Sequence, residues 1–354
     1  MSVSRDQAEP VRAGEEIDPV ALAAYLKAHQ GLGSEPKIRQ FRGGHSNLTY
    51  LVSVEGYDYV LRRPPFGNKV KTAHDMGREF RILSALAPVF PPAPRPLLLC
   101  DDASVIGAPF YLMERRHGVV IRRSLPDGVT LTGELGGKLG RAMVGTLARL
   151  HQVDYRKIGL EGFGKPQGYV ARQVTGWSER YRAAETESLP AMNEVSTWLA
   201  ANMPPERGAA VIHNDFKFDN VMLAQDDLGR VEAVLDWEMA TVGDPLMDLG
   251  TALAYILEPG DDPEFQAVYM GLAASPLMWT RARFAEEYAR LTGVEVGDLG
   301  FYFVFGLFKL AVIIQQIYAR YARGFTKDER FATMNRTVAV LANQAAHAAE
   351  RGRI

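Results

Sequence analysis

His213-Asn214-Asp215-Phe216-Lys217-Phe218-Asp219-Asn220, followed by VMLAQDDLGRVEAVLDWE over 221–238, is the stretch on which the reading of this chain turns. An aspartate and an asparagine share one loop, and two short apolar runs flank a polar turn before Asp236 is reached. Such a set suits phosphoryl transfer, which needs a carboxylate beside the attacking hydroxyl and oxygen ligands that hold Mg²⁺ across the phosphates. The apolar runs predict a β-hairpin that returns Asp236 to the loop as a second metal ligand. As a bare pattern His-x-Asp-x4-Asn also arises by chance, so the order of the surrounding segments has to decide.

Upstream the chain is β-rich. KIRQF, LTYLVSV and YDYVLRRP, between Lys37 and the proline after Arg63, are separated by Gly43-Gly44 and by a tight turn at Glu55-Gly56, and they alternate as a half-buried antiparallel sheet requires. A helix is predicted from about Thr72 to Leu86 with Phe80, Leu83 and Leu86 on its apolar face, ended by the prolines between Pro88 and Pro96. PLLLC and PFYLME complete five strands. Ahead of the sheet, Asp18-Pro19 reads as an N-cap and first-turn proline for ALAAYLKAH, which Gly31 and Gly33 close.

Beyond Gly118 long helical patterns take over: Gly133 to His151, Tyr169 to Ala184, Ala191 to Ala201 and Pro245 to Leu257, interrupted by β-like sequence from Ala210 to Trp237. The predicted class is α+β, a small antiparallel five-stranded lobe with one helix and a larger, mainly helical lobe. The expected division is a tail and short helix over 1–33, an N-lobe over 34–116 and a helical C-lobe over 117–354.

Composition narrows the function. A net charge of −2 gives no whole-chain reason to expect nucleic acid or an anionic membrane, although Lys37 to Arg123 carries fourteen Lys/Arg against seven Asp/Glu. The functional reading of that excess is a phosphate-handling surface; a solvated sheet face explains it equally. A single cysteine, Cys100, excludes an internal disulfide framework and fits a reducing, cytoplasmic compartment. Phe301 to Tyr318 is apolar, but Lys309 in its middle and Gln315 and Gln316 near its end argue for a buried helix rather than a membrane span.

Taken together, these segments resemble, over roughly Phe41 to Leu249, the aminoglycoside phosphotransferase and choline kinase branch of the protein-kinase-like superfamily. The resemblance implies ATP or GTP with Mg²⁺ as cofactors, Asp215 as the catalytic aspartate, and Asn220 and Asp236 as metal ligands. Asp236-Trp237-Glu238 keeps the aspartate of the kinase Asp-Phe-Gly element but not the two residues after it, which puts a regulatory flip of that element in doubt. FRGGHSNLTYLV resembles the nucleotide loop, Gly43 and Gly44 allowing close approach to phosphates and His45, Ser46 and Asn47 lying against them. Arg62 stands where a protein kinase carries its phosphate-binding lysine, and Glu79 would be its ion-pair partner. Pro109 to Arg116 resembles the strand and hinge beside adenine, with backbone groups near Glu114 and Arg116 bonding the base. Asp244 and Pro245 read first as a helix cap and opening, and the resemblance adds Asp248 as a buttress of the catalytic loop; His213 is expected to brace that loop rather than to transfer protons.

Other chemistries lack their residues. Gly159 to Lys165 imitates a phosphate-binding P-loop, yet Pro166 stands where a Ser or Thr must reach Mg²⁺. No Gly-x-Ser-x-Gly elbow and no His-Glu-x-x-His helix is present. The expected partner is a small hydroxyl acceptor. GGHSNLTY, YVLRRPPFG and LDWEMATVGDPLMDL look particularly like the phosphotransferase domains associated with acyl-CoA dehydrogenases, which implies a hydroxyacyl thioester. An aminoglycoside or amino-alcohol acceptor would ask for an acidic or aromatic pocket, and Asp261, Asp262 and Glu264 read more simply as a solvated loop. A nucleotide-binding scaffold without catalysis would not need Asp215.

Overall fold

The computed structural model describes residues 8–41, 47–65, 75–269, 271–326, 328–352 and 354. Along the chain these form α1 (Pro19–Gln30), β1 (Lys37–Gln40), β2 (Leu48–Val54), β3 (Tyr57–Arg63), α2 (Met76–Leu86), β4 (Pro96–Cys100), β5 (Phe110–Glu114), β6 (Val119–Val120), α3 (Gly133–His151), α4 (Tyr169–Ala184), α5 (Pro190–Ala201) and β7 (Ala210–Ile212). There follow β8 (Val221–Leu223), β9 (Val231–Val234), β10 (Thr241–Gly243), α6 (Pro245–Ala254), α7 (Pro263–Val268), α8 (Arg281–Thr292), α9 (Gly300–Ala322) and α10 (Met334–Arg351). Two compact units result. One comprises residues 1–120, 126–128 and 220–240, the other 121–125, 129–219 and 241–354. Both units are built from segments separated in sequence.

In the first unit β1 to β5 form an antiparallel sheet in the order β1-β2-β3-β5-β4, with Arg62 of the central strand opposite Thr49 on one side and Tyr111 on the other. Asp18 caps α1 by accepting from Val20 and Ala21, and Gly31 ends it in the left-handed region at φ 72°. One face of the sheet buries Leu22 and Leu26 of α1 with Tyr50, Leu61 and Phe110. Asp75 caps α2 through the Arg78 N–H at 2.9 Å. The buried face of α2 carries Met76, Glu79, Ile82, Leu83 and Leu86, while Phe80 is half-buried, a correction to the predicted face. The helical spacing holds, but a glutamate occupies an apolar-face position because a partner neutralises it. A second antiparallel sheet, β6-β8-β9, contains the predicted hairpin, and Leu235 N–H donates to the Asn220 carbonyl at 2.8 Å.

The second unit pairs β7 with β10 and surrounds them with helices. α9 is buried through nearly every position from Gly300 to Val312, as expected of a helix apolar all round, and it packs on α10, α6, α4 and α5. Its approach to α6 is close: a Cβ added at Gly306 would lie 2.7 Å from the Gly250 carbonyl oxygen, and one added at Gly250 would strike Tyr302. Asp244 caps α6 through Leu246 N–H at 2.8 Å, with Pro245 in its first turn as the sequence predicts.

Candidate active site

Arg62, on the central strand, is buried together with Glu79, and the half-buried Asp236 lies beside it. Its Nη1 donates to Glu79 Oε1 at 2.5 Å and its Nη2 to Asp236 Oδ1 at 2.9 Å. Burial opposes the guanidinium charge, yet Glu79, with Tyr111 and Asp236, holds it well above its ordinary value. Glu79 Oε1 also accepts the Trp237 N–H at 3.2 Å. Asp236 itself takes the left-handed conformation, φ 65° and ψ 68°, one of three non-glycine residues at positive φ among those described. Such strain is retained where surrounding bonds over-determine it, here the hairpin behind and the Glu79–Trp237 contact ahead.

Asn220 and Asp236 provide an amide oxygen and a carboxylate, tied together by the Asn220–Leu235 backbone bond. An all-oxygen pair suits Mg²⁺, which binds one or two side chains and fills its shell with phosphate oxygens and water. Among the described residues no group of three or more His, Cys, Asp or Glu side chains forms a metal cage. Each Arg62 terminal nitrogen has a second hydrogen that a phosphate oxygen could accept.

Asp215 lies in the second unit, on the loop after β7. The loop is pinned by Asp248 of α6, whose two oxygens accept the N–H groups of His213 and Asn214 at 2.7 Å each. Burial alone would raise the Asp248 carboxyl, but His151, 3.0 Å away, and His213 hold it below its ordinary value. Asn214 is at φ 65°, a conformation asparagine tolerates better than most residues. His213 Nδ1 accepts the Asp215 N–H at 3.3 Å, so this buried histidine braces the loop. The Asp215 carboxylate receives Tyr255 Oη at 2.5 Å on Oδ1 and Lys217 Nζ at 2.9 Å on Oδ2. Burial, with Asp215 beside it, pushes the Tyr255 hydroxyl well above its ordinary value, so it remains a donor. Lys217 Nζ also lies 4.7 Å from the centre of the Tyr255 ring.

Those two residues also line cavities. One, of about 50 Å³, is walled by Met143, Phe216, Trp279 and Phe284; the other, of about 140 Å³, by Phe265, Tyr269, Leu310 and Ile314 with Asp219. Both touch Lys217, Phe218, Tyr255 and Leu272. The larger is comparable in volume with apolar cavities of about 150 Å³ that admit benzene.

The remaining sequence-predicted positions distribute unevenly. Gly43, Gly44, His45 and Ser46 lie outside the described residues. Asn47 is buried and its Nδ2 donates to Glu238 at 2.8 Å, so this amide is engaged by a carboxylate. Glu114 N–H bonds the Arg95 carbonyl at 2.9 Å, and its side chain takes the Arg95 N–H and Arg116 Nε at 2.8 and 2.7 Å, which makes the side chains of Glu114 and Arg116 a pin for the end of β5. Asp261 is drawn into a buried ion pair with Arg281, whose N–H bonds Glu258 at 2.5 Å; the expectation of a solvated loop fails there because Arg281 enters from α8. Tyr255 and Lys309 are not among the site residues that the sequence predicts. Nothing local marks them, since they reach the loop from helices far along the chain.

A twisted antiparallel sheet holding a buried arginine–glutamate pair, joined in sequence to a helical unit whose loop presents an aspartate, defines a protein-kinase-like phosphotransferase fold. Residues 37–286 match the profile of the phosphotransferase enzyme family, and the chain belongs to that family. A protein from Ralstonia eutropha, assigned by name to the aminoglycoside phosphotransferases, superposes with a TM-score of 0.79 at 32% identity over 95% of this chain and 99% of its own. A thermostable mutant of the aminoglycoside phosphotransferase APH(4)-Ia, solved in a ternary complex with AMP-PNP and hygromycin B, shares the fold at a TM-score of 0.59 and 16% identity, covering 94% of this chain and 98% of its own. Among curated proteins, mouse acyl-CoA dehydrogenase family member 10 is 37% identical over 89% of this chain and 30% of its own length. Rat acyl-CoA dehydrogenase family member 11 is 36% identical over 95% and 44% respectively. The chain thus spans less than half the length of these curated relatives.

Proposed function

We propose that this chain transfers the γ-phosphoryl group of Mg-ATP, or of Mg-GTP, to the hydroxyl of a small, largely apolar acceptor such as a hydroxyacyl thioester. The observation that carries the acceptor class is that Lys217 and Tyr255, which hold Asp215, also wall two apolar cavities. In this reading Asp215 orients the acceptor hydroxyl and receives its proton, while Arg62, Asn220 and Asp236 serve the donor. Mg²⁺, when bound, offsets charge on the transferring phosphates. Arg62 keeps Asp236 in place, and Glu79 keeps Arg62 in place.

The names of the curated relatives support acyl thioesters as the acceptor chemistry. A polycationic aminoglycoside is less well served, because among the described residues the only carboxylate in either cavity wall is Asp219, which burial shifts upward. Incubation of the purified chain with γ-labelled ATP and Mg²⁺ against hydroxyacyl-CoAs, aminoglycosides, macrolides, amino alcohols and sugars tests the reading. Label transfer to a hydroxyacyl thioester is expected; transfer to aminoglycosides alone would overturn the acceptor assignment, and transfer to none would overturn the activity.

A further inference from the structure

Lys309 sits in the middle of α9, in the second unit, with 2% of its surface exposed. A buried ammonium needs hydrogen-bonding partners. Its Nζ donates to the Asn214 carbonyl oxygen at 2.5 Å and lies 5.7 Å from the centre of the Trp177 ring on α4. The Asn214 carbonyl and the Asp215 N–H belong to one peptide group. That group is therefore held at both ends, by Lys309 on its oxygen and by His213 Nδ1 on its nitrogen. A planar peptide held at both ends is restrained from rotating, and its plane sets the direction in which the Asp215 side chain leaves the backbone.

We propose that Lys309 is a positioning residue for Asp215: it locks the left-handed turn at Asn214 and thereby aims the Asp215 carboxylate. The inference rests on the reading of Asp215 as the acceptor-facing base. It assigns a role to an ionisable group that the transfer itself does not use. Removing this donor takes away the ammonium that holds one end of that peptide group, and a displacement of about an ångström at a reacting group is worth about 10²-fold in rate.

The test uses Lys309→Met, and Lys309→Gln where the methionine variant does not fold, in the full chain. Two measurements are made: phosphate release from Mg-ATP with water as acceptor, and amide exchange at His213 to Phe216. The proposal expects kcat to fall about 10- to 100-fold with the KM for ATP unchanged, and exchange of the Asp215 amide to rise at least about tenfold. If the lysine merely fills the helix, its loss lowers the melting temperature and leaves kcat and Asp215 exchange near wild type; that result overturns the proposal. Absence of turnover in the wild type would count against the kinase reading, and the exchange measurement would then decide alone whether Lys309 holds the turn.

Discussion

Tyr255 donates to Asp215 at 2.5 Å from the end of α6, and the Tyr255 carbonyl in turn accepts from Tyr269. The tyrosine is thus fixed from behind while its hydroxyl restrains one carboxylate oxygen. Tyr255→Phe keeps the ring and removes only the donor. Loss of one hydrogen bond to a charged group is worth about 1.5–3 kcal/mol, so kcat is expected to fall roughly 10- to 100-fold with ATP affinity unchanged. Steady-state kinetics on the acceptor found in the label screen gives the answer; an unchanged kcat means the contact does not orient Asp215.

Asp215→Asn is the sharper substitution. General-base assistance is typically worth about 10²–10⁴-fold, and kcat should drop by at least two orders of magnitude while Mg-ATP still raises the melting temperature. Near-normal turnover would refute the assignment.

Breaking the Arg62–Glu79 pair from one side strands a charge in a site where the two side chains are 8% and 1% exposed. Arg62→Ala is expected to cost about 3–5 kcal/mol, and Arg62→Ala combined with Glu79→Leu less than Arg62→Ala alone. Urea unfolding of the two singles and the double measures the coupling. Arg63 is also buried but bonds the Ile106 carbonyl at 2.8 Å. Its alanine variant should therefore weaken the nucleotide effect far less than Arg62→Ala does.

Asp236→Asn should abolish Mg²⁺-dependent turnover and reduce the stabilisation by Mg-ATP more than that by metal-free ATP. Ligand at about a hundredfold above its Kd stabilises the folded state by roughly 2.7 kcal/mol, an effect large enough for the two nucleotide forms to be compared by melting. Wild-type metal dependence in the variant would shift attention to Glu238.

The burial of Lys309 sets a pH dependence of stability. Desolvation lowers its ammonium from 10.5 to about 8. Between those values the unfolded chain binds a proton that the folded chain has released, so stability from this group rises with pH across the window and is constant below it. The wild-type urea midpoint minus that of Lys309→Met should therefore increase from pH 7.5 to pH 9.5. The raised tyrosines act in the opposite sense, but only toward the ordinary tyrosine range near 10 and above. A flat difference would mean that Lys309 is charged throughout.

Local chemistry made much of this legible. The Asp18 and Asp244 caps, the antiparallel pairing of the strand that carries Arg62 and the hairpin ending at Asp236 follow from local residues, and the chain folds as those rules dictate; the expected half-buried alternation does not hold there, since Val60, Leu61, Arg62 and Arg63 are all buried. Glu79 was legible as a partner only through the resemblance, and its place on the apolar face of α2 violated the periodicity that Phe80 was expected to fill. In the sequence Lys309 argues only for a buried helix against a membrane span. Its meaning depends on Asn214, which lies 95 positions away in sequence, and no periodicity or spacing rule spans that distance. Tyr255, 40 positions from Asp215, was hidden in the same way.

The close approach of α6 and α9 at Gly250 and Gly306 has a mechanical consequence. One helix carries Asp248 and the other Lys309, and these two side chains bond the N–H and the carbonyl oxygen of the same residue, Asn214. The helices therefore act as the two jaws of a vice, and the glycines are its closing screw. Gly306→Ala, which touches neither reactant, should open the jaws by a few tenths of an ångström, slacken the grip on Asn214 and cost about 1–3 kcal/mol in stability. Its signature would be a loss of turnover that follows the loosened loop rather than any change in the reacting groups.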